Sequence, residues 1–217
     1  MSVLYRYNPY LAPLQPGFLD TLLGPLKLVT APDPTKTVVS IPEARLQCRI
    51  DGNAFDDELQ DFMAAAAAWC EQEISGHRQL LTATYDVPVR NWWAGGLKLP
   101  RPPLQSVTSI TYADTAGVVQ TLATTTYVTR GSWRTAGMIE RAPSQQWPVL
   151  QQDNRYPITI RFLAGYGTPP QVPKTLKRAI LMHVAFWFRN RDKADGWPAV
   201  ETAIRSMLDT EGYGSYA

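Results

Sequence analysis

Apolar positions recur at helical spacing in one stretch of this chain. They change to short alternating runs over the next eighty residues, then return to helical spacing near the end. Phe55, Leu59, Phe62, Met63, Ala66, Cys70 and Ile74 form one apolar stripe, which predicts a helix over 54–75. Ala64–Ala68 adds strong helix propensity and a narrow profile, and Gly76 is the expected stop. Just before it, Ser40-Ile41-Pro42-Glu43 has the spacing of a capping box with proline in the first turn. A short helix over 41–49 follows, broken by Asp51-Gly52, with Asn53 as the expected cap of its successor. From Leu80 to Phe162 the pattern turns to β. Strands are predicted over 81–87, 96–99, 107–112, 118–122, 126–129, 137–140 and 158–162, with a hairpin turn at Asp114–Gly117. Pro100, Pro102 and Pro103 mark an edge or corner. Leu176, Ile180, His183, Val184, Trp187 and Phe188 then share one helical face over 173–191, with Pro173 at the first helical position. A last helix over 198–208 follows Gly196.

This layout predicts an α+β fold: a helical bundle built from N- and C-terminal helices, with an antiparallel β-rich module over 79–166 inserted between them. Residues 1–37 read as an extended arm. They are proline-rich, but Tyr5, Tyr7, Tyr10, Leu11, Leu14 and Phe18 make them too apolar for a solvating tail. One short helix is expected near Gly17–Leu23. The arm either lies on a neighbouring subunit or wraps its own domain. Residues 38–208 form the main domain, and 209–217 a C-terminal tail.

Composition narrows the function. The chain has 217 residues, 45% of them hydrophobic and 18% charged, with seven Trp and ten Tyr. A low charge with many large amphipathic aromatics fits a subunit with extensive protein contacts. A net charge of +2 gives no excess that demands nucleic acid as ligand. Cys48 and Cys70 fall in separate predicted helices, which reads as two buried thiols in a reducing compartment. Met1–Tyr10 lacks the apolar core of a signal peptide, and no apolar run approaches the ~20 residues that span a bilayer. No membrane contact is expected.

The search for chemistry finds no active site, metal site or cofactor site. Only two histidines occur. His77 follows a helix end and His183 sits on an apolar face. Neither cysteine has a partner at zinc spacing. Asp56, Asp57, Glu58 and Asp61 resemble a Mg²⁺ cluster, but acids in a first helical turn are what the helix dipole favours. Ser132 lacks the frame of a nucleophile elbow, and Gly165-Tyr166-Gly167 lacks the lysine of a phosphate loop. Two features remain. Trp92-Trp93 lie in a predicted loop and are candidate contact aromatics, unless the loop folds back on the sheet. The 54–75 helix is acidic without a single Lys or Arg, whereas Lys174, Lys177, Arg178, Arg189 and Arg191 make the 173–191 helix basic. Exposed pairs between them would contribute only about 0–1 kcal/mol each.

The order of SIPEARLQCRID (40–51), ISGHR (74–78), LPRPPLQSVTSITYAD (99–114), RFLAGYG (161–167) and VPKTLKRAILMHVAFWFRNRD (172–192) resembles the head–tail connector, or adaptor, proteins of long-tailed bacteriophages and phage-like gene transfer particles. The likeness covers about residues 27–208. It implies a ring, usually of twelve copies, beneath the portal protein at the capsid–tail junction of a virion. The protein would be made in the cytoplasm of the bacterial host. The ring extends the channel for double-stranded DNA without reading its sequence, and stopper or tail-completion proteins dock on it. By the same resemblance Asp209, Glu211, Tyr213 and Tyr216 mark a portal-binding tail, 172–191 belongs to the ring body, and nothing is catalytic.

A closed ring of identical copies needs unlike faces that mate, and helices of opposite charge offer them. A channel should not grip its cargo, so Asp57 and Asp61 are candidate lumen-facing acids. The competing readings are another neck component (a stopper or a tail-completion protein), a metal-dependent packaging enzyme built on the acidic cluster, and a β-mediated binding module with no virion role.

Overall fold

The computed structural model describes residues 22–73, 77–131, 137–191 and 196–212, with side chains in the last helix described up to Leu208. The fold is α+β, as the pattern predicts. Four helices are present among the described residues: α1 (Ile41–Cys48), α2 (Asp56–Glu73), α3 (Lys174–Arg189) and α4 (Trp197–Gly212). Eight strands lie mostly between α2 and α3. In chain order they are β1 (Lys27–Thr30), β2 (Ala83–Val89), β3 (Leu97–Lys98), β4 (Leu104–Ala113), β5 (Val119–Thr121), β6 (Tyr127–Arg130), β7 (Met138–Arg141) and β8 (Ile158–Ala164).

The strands make two antiparallel sheets, one of five strands in the order β1-β2-β8-β4-β5 and one of three in the order β3-β7-β6. In β2 the residues Ala83, Tyr85, Val87 and Val89 point inward, and in its neighbour β8 the same holds for Ile158, Ile160, Phe162 and Ala164. The register sets Tyr85 opposite Phe162 and Val87 opposite Ile160. The inward faces of the two sheets close one core, which also takes in Trp93, Leu97, Leu99, Leu122 and Ile139. A second core lies among the helices, where Leu59, Met63, Ala66 and Cys70 of α2 meet Leu176, Ile180 and Val184 of α3 and Ile204 and Leu208 of α4. Burying a Leu or Ile side chain is worth about 1.5–3 kcal/mol, so packing here outweighs any rim of charge.

Local signals set the element ends. The Ser40 N–H donates to Glu43 Oε2 at 2.7 Å and the Glu43 N–H returns to Ser40 Oγ, which completes the capping box. Arg49 caps α1 in the left-handed region with φ of 59°. α2 begins at Asp56 rather than 54, its first N–H bonding the Asn53 carbonyl at 3.2 Å. Pro173 is the N-cap of α3 rather than its first residue. α4 runs on to Gly212, four residues beyond the expected end, because no breaker precedes that glycine.

Residues 22–30 lie against their own domain. Leu23 bridges to Val89, and β1 pairs antiparallel with β2. Strand β1 was not expected, because Lys27-Leu28-Val29-Thr30 is too short between prolines to show a period of two. The expected helix near Gly17–Leu23 falls largely outside the described residues.

Candidate functional site

Three of the strings that carry the resemblance meet where the helical core joins the sheets. The Gln79 N–H donates to Pro102 O at 2.9 Å, Gly165 N–H to Pro103 O at 2.9 Å, and Tyr166 N–H to Leu80 O at 3.0 Å. Arg101 Nη1 reaches the His77 carbonyl at 3.4 Å. Arg78 is fully buried and donates through Nη1 to the Tyr166 hydroxyl at 3.1 Å. The Glu71 carboxylate of α2 accepts Gln79 Nε2 at 2.9 Å and Leu80 N–H at 2.8 Å, and Gln79 Oε1 accepts the Tyr85 hydroxyl of β2. Burial pushes the Glu71 carboxyl up, while the Leu80 N–H and the Arg101 guanidinium pull it the other way. Glu71, Arg78, Gln79 and Tyr166 thus form a polar joint between the two cores. The sequence reading missed it; the one signal was an Arg-Gln pair wedged between a helix stop and a strand.

The acidic end of α2 is divided. Asp56 pairs with Arg45 of α1, Glu58 with Arg191 at 2.7 Å, and Glu73 with Arg205 of α4. Asp57 and Asp61 are exposed and have no ion-pair partner among the described residues. Past them the exposed side of α2 continues as Ala64, Ala65 and Ala68. Arg191 is the single residue from the basic set expected on α3 that makes one of these pairs. Arg178 instead donates to Gln47 Oε1 at 2.7 Å.

Trp93 is buried and donates through Nε1 to the Ile139 carbonyl at 2.7 Å. Trp92 is half-buried and stacks on Trp147, with centroids 4.6 Å apart and planes 4° apart. Its Nε1 donates to Pro148 O at 2.8 Å. The loop therefore folds back on its own sheet, and Trp147, not singled out in the sequence, is what holds it. Ser132 falls outside the described residues, as do Tyr213 and Tyr216. Asp209 and Glu211 belong to the last turns of α4 rather than to an irregular tail, and their side chains are not among those described.

His183 is fully buried against Trp69, Trp187 and Trp197, with ring centroids 4.6, 4.2 and 4.4 Å away. Neither ring nitrogen has a hydrogen-bond partner among the described residues, and burial pulls its pKa down to about 4. Cys48 and Cys70 are free and buried. Burial, then Glu71 and Glu73, push the Cys70 thiol up to about 12, so it stays protonated. Among the described residues no cluster of His, Cys, Asp and Glu could hold a metal ion, and no helix is long and apolar enough to cross a membrane.

Solved structures share this fold over most of its length. A chain in the neck of an empty gene transfer agent particle, computed with C6 symmetry, matches with a TM-score of 0.69 at 24% identity, covering 87% of this chain and 95% of that one. A chain in the virion of the native particle matches at 0.66 and 25% identity, covering 84% and 94%. A third, in the neck of the native particle computed with C12 symmetry, matches at 0.63 and 22% identity, covering 85% and 94%. No protein-family model and no curated protein matches the chain. Its structural neighbours are thus components of a phage-like particle, two of them from the neck.

Proposed function

We propose that this chain is a structural neck component of a phage-like particle, an adaptor that forms a ring beneath the portal. The observation that carries the reading is the fold match with gene transfer agent neck chains, which spans nearly the whole of those chains. The C6 and C12 symmetry of those necks favours a ring, and we take twelve copies as its size. A role by shape is in keeping with the helical core, where the Cys48 and Cys70 thiols and the His183 imidazole are buried and burial favours the neutral form of each.

In this reading α3 belongs to the ring body, where it is the central helix touching α1, α2 and α4. Residues 209–217 reach the portal, with Asp209, Glu211, Tyr213 and Tyr216 as the contact residues. The exposed end of α2 turns Asp57 and Asp61 to the channel, so that double-stranded DNA passes without being held. Stopper or tail-completion proteins dock on the opposite side, and Trp92 and Trp93 shape that surface from within. The protein is made in the cytoplasm of the bacterial host and ends at the capsid–tail junction.

The test is a cryo-EM reconstruction of the particle neck with this chain traced, together with copurification from disrupted particles. A ring in contact with the portal is expected. Recovery with the tail tube and without the portal would make it a stopper or tail-completion protein, and absence from the neck would end the proposal.

A further inference from the structure

The five-stranded sheet ends in two unlike edges. β1 forms one and β5 the other, and among the described residues neither has a strand on its outer side. Every residue of both strands is exposed. Edges of this kind are usually blunted by charge, proline or a bulge. β5, Val119-Gln120-Thr121, carries no charge and no proline. β1 has Lys27, and a bulge between Leu28 and Thr30 that keeps its usable edge as short as β5. Apolar side chains stand open on both. Leu28 of β1 is 48% exposed, and Val118, which leads into β5, is 53% exposed.

In an antiparallel ladder, pairs that exchange hydrogen bonds alternate with pairs that do not. The Asp114 N–H donates to Val118 O at 2.9 Å and the Leu122 N–H to Ile110 O at 2.8 Å, so Tyr112 and Gln120 are the bonded pair between them. The N–H and C=O groups of Val119 and Thr121 therefore point away from β4, to the open edge. On the other side of the sheet the Gly24 N–H donates to Pro88 O at 2.7 Å and the Arg90 N–H to Leu22 O at 2.9 Å. Alternate residues of β2, Asp86 among them, thus turn their backbone groups towards β1, while Tyr85 turns its own towards β8. Lys27 lies opposite Asp86 and Leu28 opposite Tyr85. The Leu28 N–H and C=O therefore point away from β2.

We infer that β1 of one copy pairs in parallel with β5 of the next, with Leu28 opposite Gln120. The four ladders of the sheet are all antiparallel, so its two outer strands run the same way. Copies placed side by side by rotation then set β1 parallel to the neighbouring β5. In a parallel ladder one residue spends both its groups on the two residues that flank its opposite number. The Leu28 N–H donates to Val119 O and the Leu28 C=O accepts the Thr121 N–H, which are the groups left open on each edge. The faces agree too. Leu28 lies on the side of Tyr85, and Gln120 on the side of Tyr112 and Ile158, so both side chains fall on the core face, beside the exposed Val118. The mating surfaces are unlike, so the contact is heterologous and repeats from copy to copy around a ring. This pairing rests on the ring proposed for the chain and adds the strands that join its copies.

Cysteine cross-linking of the assembled ring tests it. Leu28→Cys and Gln120→Cys put thiols on Cα atoms about 4.8 Å apart across the pair, within disulfide range. Inside one copy the two positions are four strand spacings apart, about 19 Å, and cannot join. Cys48 and Cys70 are buried and do not compete. Under copper phenanthroline the double variant is expected to give a ladder of covalent multimers. The two single variants assembled together should stop at dimers, and each assembled alone should stay uncross-linked. Amide exchange gives a second reading: the Leu28 and Thr121 N–H groups should exchange at least about tenfold more slowly in the ring than in the free subunit. A ring seen by native mass measurement that lacks the cross-link or this protection would overturn the pairing and leave the adaptor reading standing. Cross-linking of either single variant alone would mean that like edges meet, and would overturn it as well. A chain that forms no ring, by itself or in particle necks, ends both.

Discussion

The Glu71 carboxylate accepts the buried Leu80 N–H at 2.8 Å, and by that bond α2 is fastened to the segment that enters β2. The same oxygen takes Gln79 Nε2 at 2.9 Å. Removing the acceptor leaves two donors unpaired at the joint between the cores, a cost of about 1–3 kcal/mol. Glu71→Ala is therefore expected to lower stability by that amount in urea unfolding. Glu71→Gln keeps an acceptor oxygen and should lose less. Equal losses for the two variants would mean that the carboxamide oxygen cannot replace the carboxylate.

Gly165 sits at the same joint with φ of +112°, and a Cβ there would meet the Leu81 carbonyl oxygen at 2.4 Å. Backbone cannot yield as a side-chain tip can. Gly165→Ala combines a disfavoured conformation with a collision, and the conformation alone costs about 1–3 kcal/mol. The expected loss exceeds that of Glu71→Ala. A variant as stable as the parent in thermal or urea unfolding would show that the joint rearranges freely.

The periodic parts of this fold were legible and the joint was not. Every expected strand is present, because alternating runs such as Ile158–Phe162 have one buried face. The capping box around Ser40 held for the same local reason. Helix ends shifted where no strong signal fixed them, as at Gly212. The burial of Trp93 and the stacking of Trp92 depend on Trp147, which lies more than fifty residues further along and shares no local pattern with them. The polar joint likewise links Glu71, Gln79, Pro103 and Gly165 across nearly a hundred residues. Hydrogen bonds at such separations have no period, so they surface in a sequence only as strings of unexplained residue choices such as LPRPP and FLAGYG.

His183 gives the helical core a dependence on pH. Burial holds its pKa at about 4 against an ordinary 6.5, and Glu201 acts weakly in the other direction. As pH falls below 6.5 the unfolded chain takes up a proton that the folded chain refuses until pH approaches 4. Stability therefore declines through that window and the loss levels off beneath it. The decline attributable to this residue is at most about 3 kcal/mol. His183→Leu cannot titrate, so the unfolding free energy of the parent minus that of the variant should fall from pH 6.5 to pH 4, whichever of the two is the more stable at the start. A difference that is flat across the window would mean the imidazole is not held neutral.

Asp57 and Asp61 make the channel proposal measurable, since they are exposed and lack a cationic partner among the described residues. A channel lined with acids repels phosphates and leaves the duplex free to slide, whereas lysines at the same places would neutralise phosphates and release counterions. Asp57→Lys with Asp61→Lys is therefore expected to give assembled rings that retain duplex DNA at low salt, where the parent rings do not. The logarithm of affinity should fall with the logarithm of salt at about 0.9 per phosphate contacted. Neither residue belongs to a core, so the variant should fold and assemble as the parent does, which a native mass measurement of the ring can verify. If parent and variant rings retain DNA equally at the same ionic strength, these two acids face elsewhere, and the lining of the channel must be sought on another element.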